Sequence, residues 1–211
     1  MIINFAHTKG GVGKSTLATN LAVKLNCPIF DLDMQKSSYY FNQLRIANKK
    51  PALEVLVGSK EEDIEALEEY ASNPKKHIII DSGGMDNNLH RLAILISDII
   101  ITPVGISQVE LQGLDHFYNI LTNANIDTAK EYVLLNDISN RRKKDIEDIR
   151  DIISNDFHLN LLSSTIGSRA LFKDAFAEGK SVEEKSKNSL ASQELNLLTK
   201  EIKYIIKQLS K

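Results

Sequence analysis

The chain has 211 residues, of which 42% are apolar and one is cysteine. A single domain suits this length, since domains commonly run to about 250 residues, and no apolar run reaches the roughly 18 residues of a membrane-spanning helix. Lys and Arg total 26 against 28 Asp and Glu, so contact with nucleic acid would need a local patch, because the overall charge offers none. The start MIINFAHT lacks a secretory leader and lone Cys27 cannot form an internal disulfide, so we expect a cytoplasmic protein.

Short apolar runs alternate with amphipathic segments along the whole chain. This alternation predicts an α/β fold, a mostly parallel twisted sheet with helices on both faces. The first half predicts strands at IINFA, PIFDL, ALEVLV and HIIID, and helices at 15–25, 37–47 and 61–71. No repeat or linker interrupts the pattern, so we predict one domain over residues 1–211.

The second half continues the alternation. It predicts strands at DIIITPV, EYVLLN and LLSSTI. Ser107 and Glu110 are spaced as a helix N-cap and its reciprocal partner, so a helix should begin there and run to Asn123. The last predicted helix has an apolar face made of Leu195, Leu198, Ile202, Ile205 and Leu209.

The stretch KGGVGKST stands between the first predicted strand and the first predicted helix. Its glycines let the backbone approach an anion and aim N–H groups at it, and the helix start adds the positive end of a dipole. Lys14 can then reach the β- and γ-phosphates, Ser15 can ligate Mg²⁺, and Thr16 can bond a more proximal phosphate. The predicted nucleotide-binding set is Gly10, Gly11, Val12, Gly13, Lys14, Ser15 and Thr16. A glycine-rich turn without a ligand is the alternative.

The loop has Thr8 where the usual phosphate loop has glycine, and it carries a second lysine, Lys9. The order Lys-Gly-Gly-x-Gly-Lys-Ser/Thr resembles the deviant Walker A box of the ParA/MinD family of nucleotide-switch ATPases. The resemblance implies that Lys9 reaches across a two-fold interface to ATP held by the partner subunit. A second cation there can stabilise charge on the transferring phosphoryl group, so hydrolysis would depend on dimerisation. The alternative is a solvated loop lysine.

Two further segments match the family in order. FDLDMQKS resembles its Asp-x-Asp switch segment, which implies that Asp33 activates the attacking water and that Asp31 supports the metal site. Carboxylates at i and i+2 leave a strand on the same side, and the alternative is a pair of solvated strand-end acids. HIIIDSGG has the form of a Walker B strand ending in Asp81. The predicted catalytic residues are Lys9, Lys14 and Asp33, and the predicted metal set is Ser15, Asp31, Asp33 and Asp81.

Later segments extend the resemblance. Asn136 occupies the strand-end position at which relatives contact adenine, although a loop-capping asparagine would look the same. TIGSRALFKDAFAEGKSVEE matches the family's late strand, arginine and helix, and the chain looks most like the small plasmid-partition ParA proteins. His7, Thr8 and Met34 depart from the pattern, which indicates a divergent member.

The resemblance implies ATP and Mg²⁺ as cofactors and a homodimer formed with ATP. It also implies non-specific DNA binding, a nucleoid-associated location, and a ParB-like centromere-binding or adaptor partner that stimulates hydrolysis. DNA contact needs cations that reach phosphates. We predict Arg141, Arg142, Lys143 and Lys144 as one patch, and Arg169 and Lys173, with Lys180, as another. A solvated charge cluster is the alternative for the first patch.

Two rival functions share this sequence pattern. A MinD-like ATPase at the membrane surface would use the amphipathic end TKEIKYIIKQLSK, but Glu194 and Glu201 interrupt its positive face, which disfavours membrane binding. A metabolic ATPase or ligase on the same fold is the other rival, although the lone Cys27 cannot supply a two-cysteine share of an iron–sulfur cluster. His90, His116 and His158 are interpreted as structural or exposed residues.

Overall fold

The computed structural model describes residues 1–65, 67, 70, 73, 76–84, 87–139 and 143–210, with the backbone alone at 143 and 144. Seven strands form one sheet in the order β3-β2-β4-β1-β5-β6-β7, and every strand pair is parallel. Parallel strands bury both faces, and the isoleucine-rich runs meet that need. The strands are β1 (Ile2–Phe5), β2 (Ile29–Asp31), β3 (Val55–Val57), β4 (Ile78–Asp81), β5 (Ile99–Val104), β6 (Glu131–Ile138) and β7 (Asn160–Gly167).

Helices connect the strands and cover both faces of the sheet. They are α1 (Lys14–Leu25), α2 (Ser37–Ala47), α3 (Glu61–Glu65), α4 (Asn88–Leu95), α5 (Gln108–Asn123), α6 (Lys143–Asp151), α7 (Ala170–Ala177), α8 (Val182–Lys185) and α9 (Leu190–Leu209). A 3₁₀ turn, Thr128–Lys130, precedes β6, and a π turn, Ile152–Asp156, follows α6. None of the described helices is both long and apolar enough to cross a membrane.

The core lies on both sides of the sheet. Helices α1, α7 and α9 pack against the face that carries Ile3 and Phe5. Helices α3 to α6 pack against the opposite face, which carries Ile2 and Ile100. Adjacent residues of β1 therefore enter different core layers, as the two-residue period of a strand requires.

The predicted fold class is confirmed, and most predicted elements are present. The helix over 37–47 has the predicted bounds, whereas β3 is only Val55–Val57, shorter than ALEVLV. The prediction of a helix at 61–71 is confirmed for Glu61–Glu65, and much of its remainder lies outside the described residues. The last helix is docked on the core through Leu195, Leu198 and Ile202, but Leu209 is 50% exposed.

The predicted reciprocal cap at the start of α5 is half right. The Ser107 hydroxyl accepts a hydrogen bond from the Glu110 backbone N–H at 3.3 Å, as an N-cap should. The Glu110 carboxylate does not return to Ser107, because it pairs with the Lys9 ammonium instead. A charge from a loop far away in the sequence thus displaces the local capping bond.

Candidate active site

The glycine loop connects β1, the central strand, to the first turn of α1 at the carboxyl edge of the sheet. Gly11 and Gly13 have left-handed backbones, with φ of 78° and 99°. A Cβ at Gly13 would lie 2.4 Å from Asn136 Nδ2, so no side chain fits there. Around Gly10 and Gly11 a Cβ would meet nothing within 4 Å, so these backbone groups border open space. The loop is therefore held tightly on one side and is accessible on the other.

A cavity of about 690 Å³ adjoins this accessible side. Its volume falls within the roughly 300–1,000 Å³ of small-molecule sites. Most of residues 10–16 line it, together with residues 33–35, Ser37, Gly83, Gly84 and His90. The structure thus brings Gly10, Gly11, Gly13, Lys14, Ser15 and Thr16 of the predicted nucleotide set to one cavity.

Lys14 is a buried cation in the wall of this cavity, with 6% of its surface exposed. Its Nζ donates a hydrogen bond to the Lys9 carbonyl at 2.9 Å. Burial lowers the pKa of Lys14, and the nearby carboxylates of Asp81 and Asp33 oppose that change. An ammonium group shielded from water beside a helix N-terminus is a good fit for a phosphate.

Asp81 ends β4 and is fully buried. Its Oδ2 accepts a hydrogen bond from the Ser38 hydroxyl at 2.7 Å, and its Oδ1 has no hydrogen-bond partner in the described part of the chain. Burial raises the pKa of Asp81 to about 7; the Ser38 and Ser15 hydroxyls oppose that rise, and the Asp31 carboxylate adds to it. A divalent cation bound to Asp81 would favour the charged carboxylate and would be coordinated by the unpaired Oδ1. Asp81 and Ser15 therefore fit the predicted Mg²⁺.

The two carboxylates at the end of β2 and just after it have different surroundings. Asp31 is fully buried, and its two oxygens accept hydrogen bonds from the backbone N–H groups of Asp33 at 3.0 Å and Tyr39 at 2.8 Å. Burial raises the pKa of Asp31, and those two bonds oppose the rise. Asp33 reaches the cavity, and its Oδ1 accepts from the Gln35 N–H at 2.9 Å. Asp31 thus shapes the segment, whereas Asp33 faces the space that a ligand would fill.

The predicted metal set of Ser15, Asp31, Asp33 and Asp81 stays a prediction. Among the described residues, no group of three His, Cys, Asp or Glu side chains could hold a metal ion. Mg²⁺ is usually bound through one or two carboxylates, with water and substrate phosphates completing the shell. Asp31 as a direct metal ligand stays a prediction, and its oxygens already have backbone partners.

Lys9 does not line the cavity of its own chain. Its ammonium forms an ion pair with Glu110 on α5, and 31% of its side chain is exposed. Its backbone N–H donates to His7 Nδ1 at 3.2 Å. Burial lowers the pKa of His7 to about 3, so the imidazole, stacked on Phe117, is neutral. The role of Lys9 across an interface stays a prediction.

Asn136 contacts the glycine loop directly. Its Nδ2 donates to the Val12 carbonyl at 2.7 Å, so β6 is tied to the loop. Asn136 also borders a smaller pocket of about 180 Å³, together with Arg169 and Lys173. Contact with adenine stays a prediction, with the amide nitrogen already bonded to the loop.

The predicted DNA contacts are only partly placed. Arg141 and Arg142 lie outside the described residues, as do the side chains of Lys143 and Lys144. Arg169 forms an ion pair with Glu194 at 2.7 Å and Lys180 forms one with Glu178 at 2.8 Å. Lys173 is exposed. These contacts reduce the free positive charge of the second patch.

Sequence reasoning missed two residues that support the site. Ser38 supports Asp81 from the first turn of α2. Arg45 is 2% exposed and donates to Glu184 at 2.7 Å and to the Gly179 carbonyl at 2.9 Å, so it fastens α2 to α8. Both lie on the inward face of α2 with Phe41. A polar residue at helical spacing among buried positions is the signal that could have found them.

The strand, the left-handed glycine loop, the helix start and the buried lysine define a P-loop nucleotide-binding domain. The family model of the CobQ/CobB/MinD/ParA nucleotide binding domain, CbiA, matches residues 3–182, and the chain belongs to this family. The predicted membership of the ParA/MinD group is thereby confirmed. No curated protein sequence matches the chain.

Several solved structures share the fold at low sequence identity. A chain of the MinC:MinD cell division protein complex of Aquifex aeolicus has a TM-score of 0.77 and 19% identity, over 96% of this chain and 95% of that one. A putative plasmid partition protein from Borrelia burgdorferi, bound to AMPPNP, has a TM-score of 0.73 and 18% identity, over 96% and 98%. MinD from Pyrococcus horikoshii, complexed with Mg-ADP, has a TM-score of 0.70 and 16% identity, over 100% and 98%.

Proposed function

We propose that this protein is a Mg-ATP-dependent switch ATPase that dimerises with ATP and positions DNA or a DNA-borne cargo. The observation that carries the proposal is the cavity at the carboxyl edge, which is lined by Lys14 and Asp33, with the buried Asp81 near Lys14. The AMPPNP and Mg-ADP bound to structural neighbours support ATP and Mg²⁺ as the ligands.

Each group has a defined task in this proposal. Lys14 and the loop N–H groups hold the phosphates, Ser15 and Asp81 hold the metal ion, and Asp33 orients the attacking water. Mg²⁺ supplies charge neutralisation when it is bound. Lys9 leaves Glu110 and contributes its ammonium to the phosphates of a second copy. ATP turnover then depends on dimerisation, just as turnover in some GTPases depends on an arginine finger that a partner protein supplies.

The choice of DNA over a membrane surface is supported by the packing of α9. The apolar face that would enter a membrane contains Leu195, Leu198 and Ile202, each 0% exposed. Using that face would require the helix to leave the core. The plasmid partition neighbour from Borrelia adds support for DNA, and the MinC:MinD neighbour supports a partner protein.

Light scattering coupled to size exclusion, run with and without a non-hydrolysable ATP analogue, tests the switch. We expect a monomer without nucleotide and a dimer with it. Lys9→Ala should bind nucleotide and stay monomeric with little turnover, and Lys14→Ala should lose nucleotide binding by calorimetry. Lys203→Ala, at an exposed position on α9, is the matched control. Normal ATPase rates in Lys9→Ala would contradict the proposal.

A second measurement separates DNA from lipid. Gel shifts with the ATP analogue over a salt series should show DNA binding that weakens steeply as salt rises. Lys173→Glu should weaken the shift more than Lys203→Glu. Binding to anionic vesicles in place of DNA would favour the membrane alternative.

A further inference from the structure

Helix α2 exposes an apolar face along its whole length. On an α-helix, residues at about 100° intervals place 39, 40, 43, 44, 46 and 47 within one arc of about 160°. The outward face of α2, as we name it, consists of Tyr39, Tyr40, Gln43, Leu44, Ile46 and Ala47, all of them exposed. Tyr40 is 59% exposed and Ile46 is 50% exposed. The polar groups on this face are the Gln43 amide and the hydroxyls of the two tyrosines, and the structure describes every residue of it.

This pattern differs from that of an ordinary surface helix, although the inward face also carries the fully buried Phe41. The inward face of α2 carries Ser38, Asn42 and Arg45, whereas a solvated helix turns its polar residues outward. Contiguous exposed apolar patches on soluble proteins mark interaction sites.

The chain segment that carries the outward face has lysines at both ends, and Lys50 also lies near Glu184. Lys36 precedes α2, Lys49 and Lys50 follow it, and residues 36–50 contain no Asp or Glu. The remaining cation, Arg45, points inward to Glu184. A partner with acidic groups at the two ends of an apolar stripe would therefore match both the surface and its charge.

The same features decide between possible occupants. Antiparallel packing of two copies of α2 would bring Lys36 of each copy close to Lys49 of the other, which is repulsive. DNA would meet an apolar centre with cations only at the ends. A bilayer would bury the Gln43 amide, which has no compensating partner in lipid. A helix of another protein can match the apolar stripe, the Gln43 amide and the flanking lysines together.

The helix also begins in the candidate active site. The Tyr39 backbone N–H donates to Asp31, and the Ser38 hydroxyl donates to Asp81, each within the first turn. A protein bound to the outward face would therefore contact the same helix turn that holds two buried carboxylates of the site.

We propose that the outward face of α2 docks an amphipathic helix of a partner protein whose apolar stripe is flanked by acidic residues. The helix-on-helix mode resembles helix-in-groove recognition, in which anchors recur at i, i+3, i+4 and i+7. The surface exists without nucleotide, so the proposal holds whether or not the cavity hydrolyses ATP.

Photocrosslinking in the host cell tests the proposal. The full chain is expressed with p-benzoylphenylalanine in place of Tyr40, and the crosslinked segment is sequenced by mass spectrometry. The matched control carries the same group in place of Tyr204, which is 63% exposed on α9. We expect position 40, and not position 204, to capture one protein segment with helical apolar spacing and acidic flanks.

A synthetic peptide of the captured segment then measures the contacts by fluorescence anisotropy. Leu44→Glu should weaken binding at least tenfold. The double variant Lys49→Glu, Lys50→Glu should also weaken binding, and a peptide whose acidic residues are changed to lysine should restore it. Leu197→Glu, at a residue 58% exposed on α9, should leave affinity unchanged. Thermal melts confirm that the variants fold.

Four outcomes would overturn the proposal. The first is equal capture at positions 40 and 204, and the second is no adduct at position 40. The third is an adduct at position 40 that contains only lipid, DNA or a second copy of this chain. The fourth is a peptide affinity that Leu44→Glu does not change. Vesicles with anionic lipid and a short DNA duplex, tested with the purified protein, serve as the competing probes.

Discussion

Two buried carboxylates lie at opposite edges of the sheet. Asp81 ends β4 at the carboxyl edge, and Glu131 begins β6 at the amino edge. Both are fully buried, and burial raises the pKa of each to about 7. Each has one oxygen without a hydrogen-bond partner among the described residues. By burial and pKa alone, the two groups are equivalent.

Their surroundings differ. The Asp81 carboxylate accepts a hydrogen bond from the Ser38 hydroxyl and lies near Lys14, which lines the large cavity. The Glu131 carboxylate accepts a hydrogen bond only from the Thr102 hydroxyl, at 2.8 Å. Lys14 and Ser15, which both interact with Asp81, line that cavity, whereas Thr102 does not. A perturbed pKa indicates a functional site only in combination with a place for a ligand. The difference in surroundings supports the proposed metal-binding role of Asp81, and it leaves Glu131 as a buried carboxyl whose ionisation lowers the stability of the fold.

The largest expected effect separates the two residues by activity. Asp81→Asn should lower Mg²⁺-dependent ATP turnover by about 100-fold or more, because metal coordination contributes several kcal/mol to the reaction. Glu131→Gln, the matched isosteric change, should leave turnover within about twofold of the original. Steady-state phosphate release measures both. Equal losses in the two variants would erase the distinction between the carboxylates.

The next effect concerns stability and pH. A carboxyl whose pKa is raised by folding favours the folded state while protonated, so its contribution is full below the unfolded pKa near 4.5 and is lost as pH rises to about 7. For Glu131 the loss amounts to about 3 kcal/mol, at about 1.4 kcal/mol per pKa unit. Urea unfolding of the nucleotide-free protein should therefore show stability falling from pH 5 to pH 8.

Glu131→Gln should flatten that fall, because the amide stays neutral throughout. Saturating Mg-ATP should also flatten it, through Asp81, since the cation stabilises the carboxylate. The two changes should add, given their separate sites. If the pH profile of stability is unchanged in Glu131→Gln, then folding does not raise the pKa of Glu131.

The smallest effect concerns the two hydroxyls. Ser38→Ala removes a hydrogen bond worth about 1 kcal/mol and raises the pKa of Asp81 further, so Mg²⁺ affinity in the presence of nucleotide should fall about fivefold at pH 7. The loss should shrink at pH 8.5, where Asp81 is ionised in either protein. Thr102→Ala removes the matching hydroxyl from Glu131 and should lower stability with no change in Mg²⁺ affinity. Titration of Mg²⁺ by calorimetry distinguishes the pair.

Local patterns predicted the fold and the central parts of the site. The bounds of α2, the Ser107 cap and the placement of Lys14 all follow from spacing within a few residues, and the structure agrees with each. Alternating apolar segments were enough to predict a parallel sheet, because such strands must be covered on both faces.

Long-range polar contacts could not be predicted in this way. Glu110 pairs with Lys9 across about a hundred positions of sequence, and Arg45 reaches Glu184 across more. Nothing in the neighbouring residues indicates such partners, because they depend on how the helices pack. The Ser38 bond to Asp81 is missed for the same reason.

Gly13 and Asn136 fit together so closely that neither can be exchanged alone. Any residue larger than glycine at the first position would strike the amide of the second, and loss of that amide would release the Val12 carbonyl. A phosphate loop grafted into this scaffold must therefore keep glycine at position 13 and a backbone carbonyl within reach of the Asn136 amide.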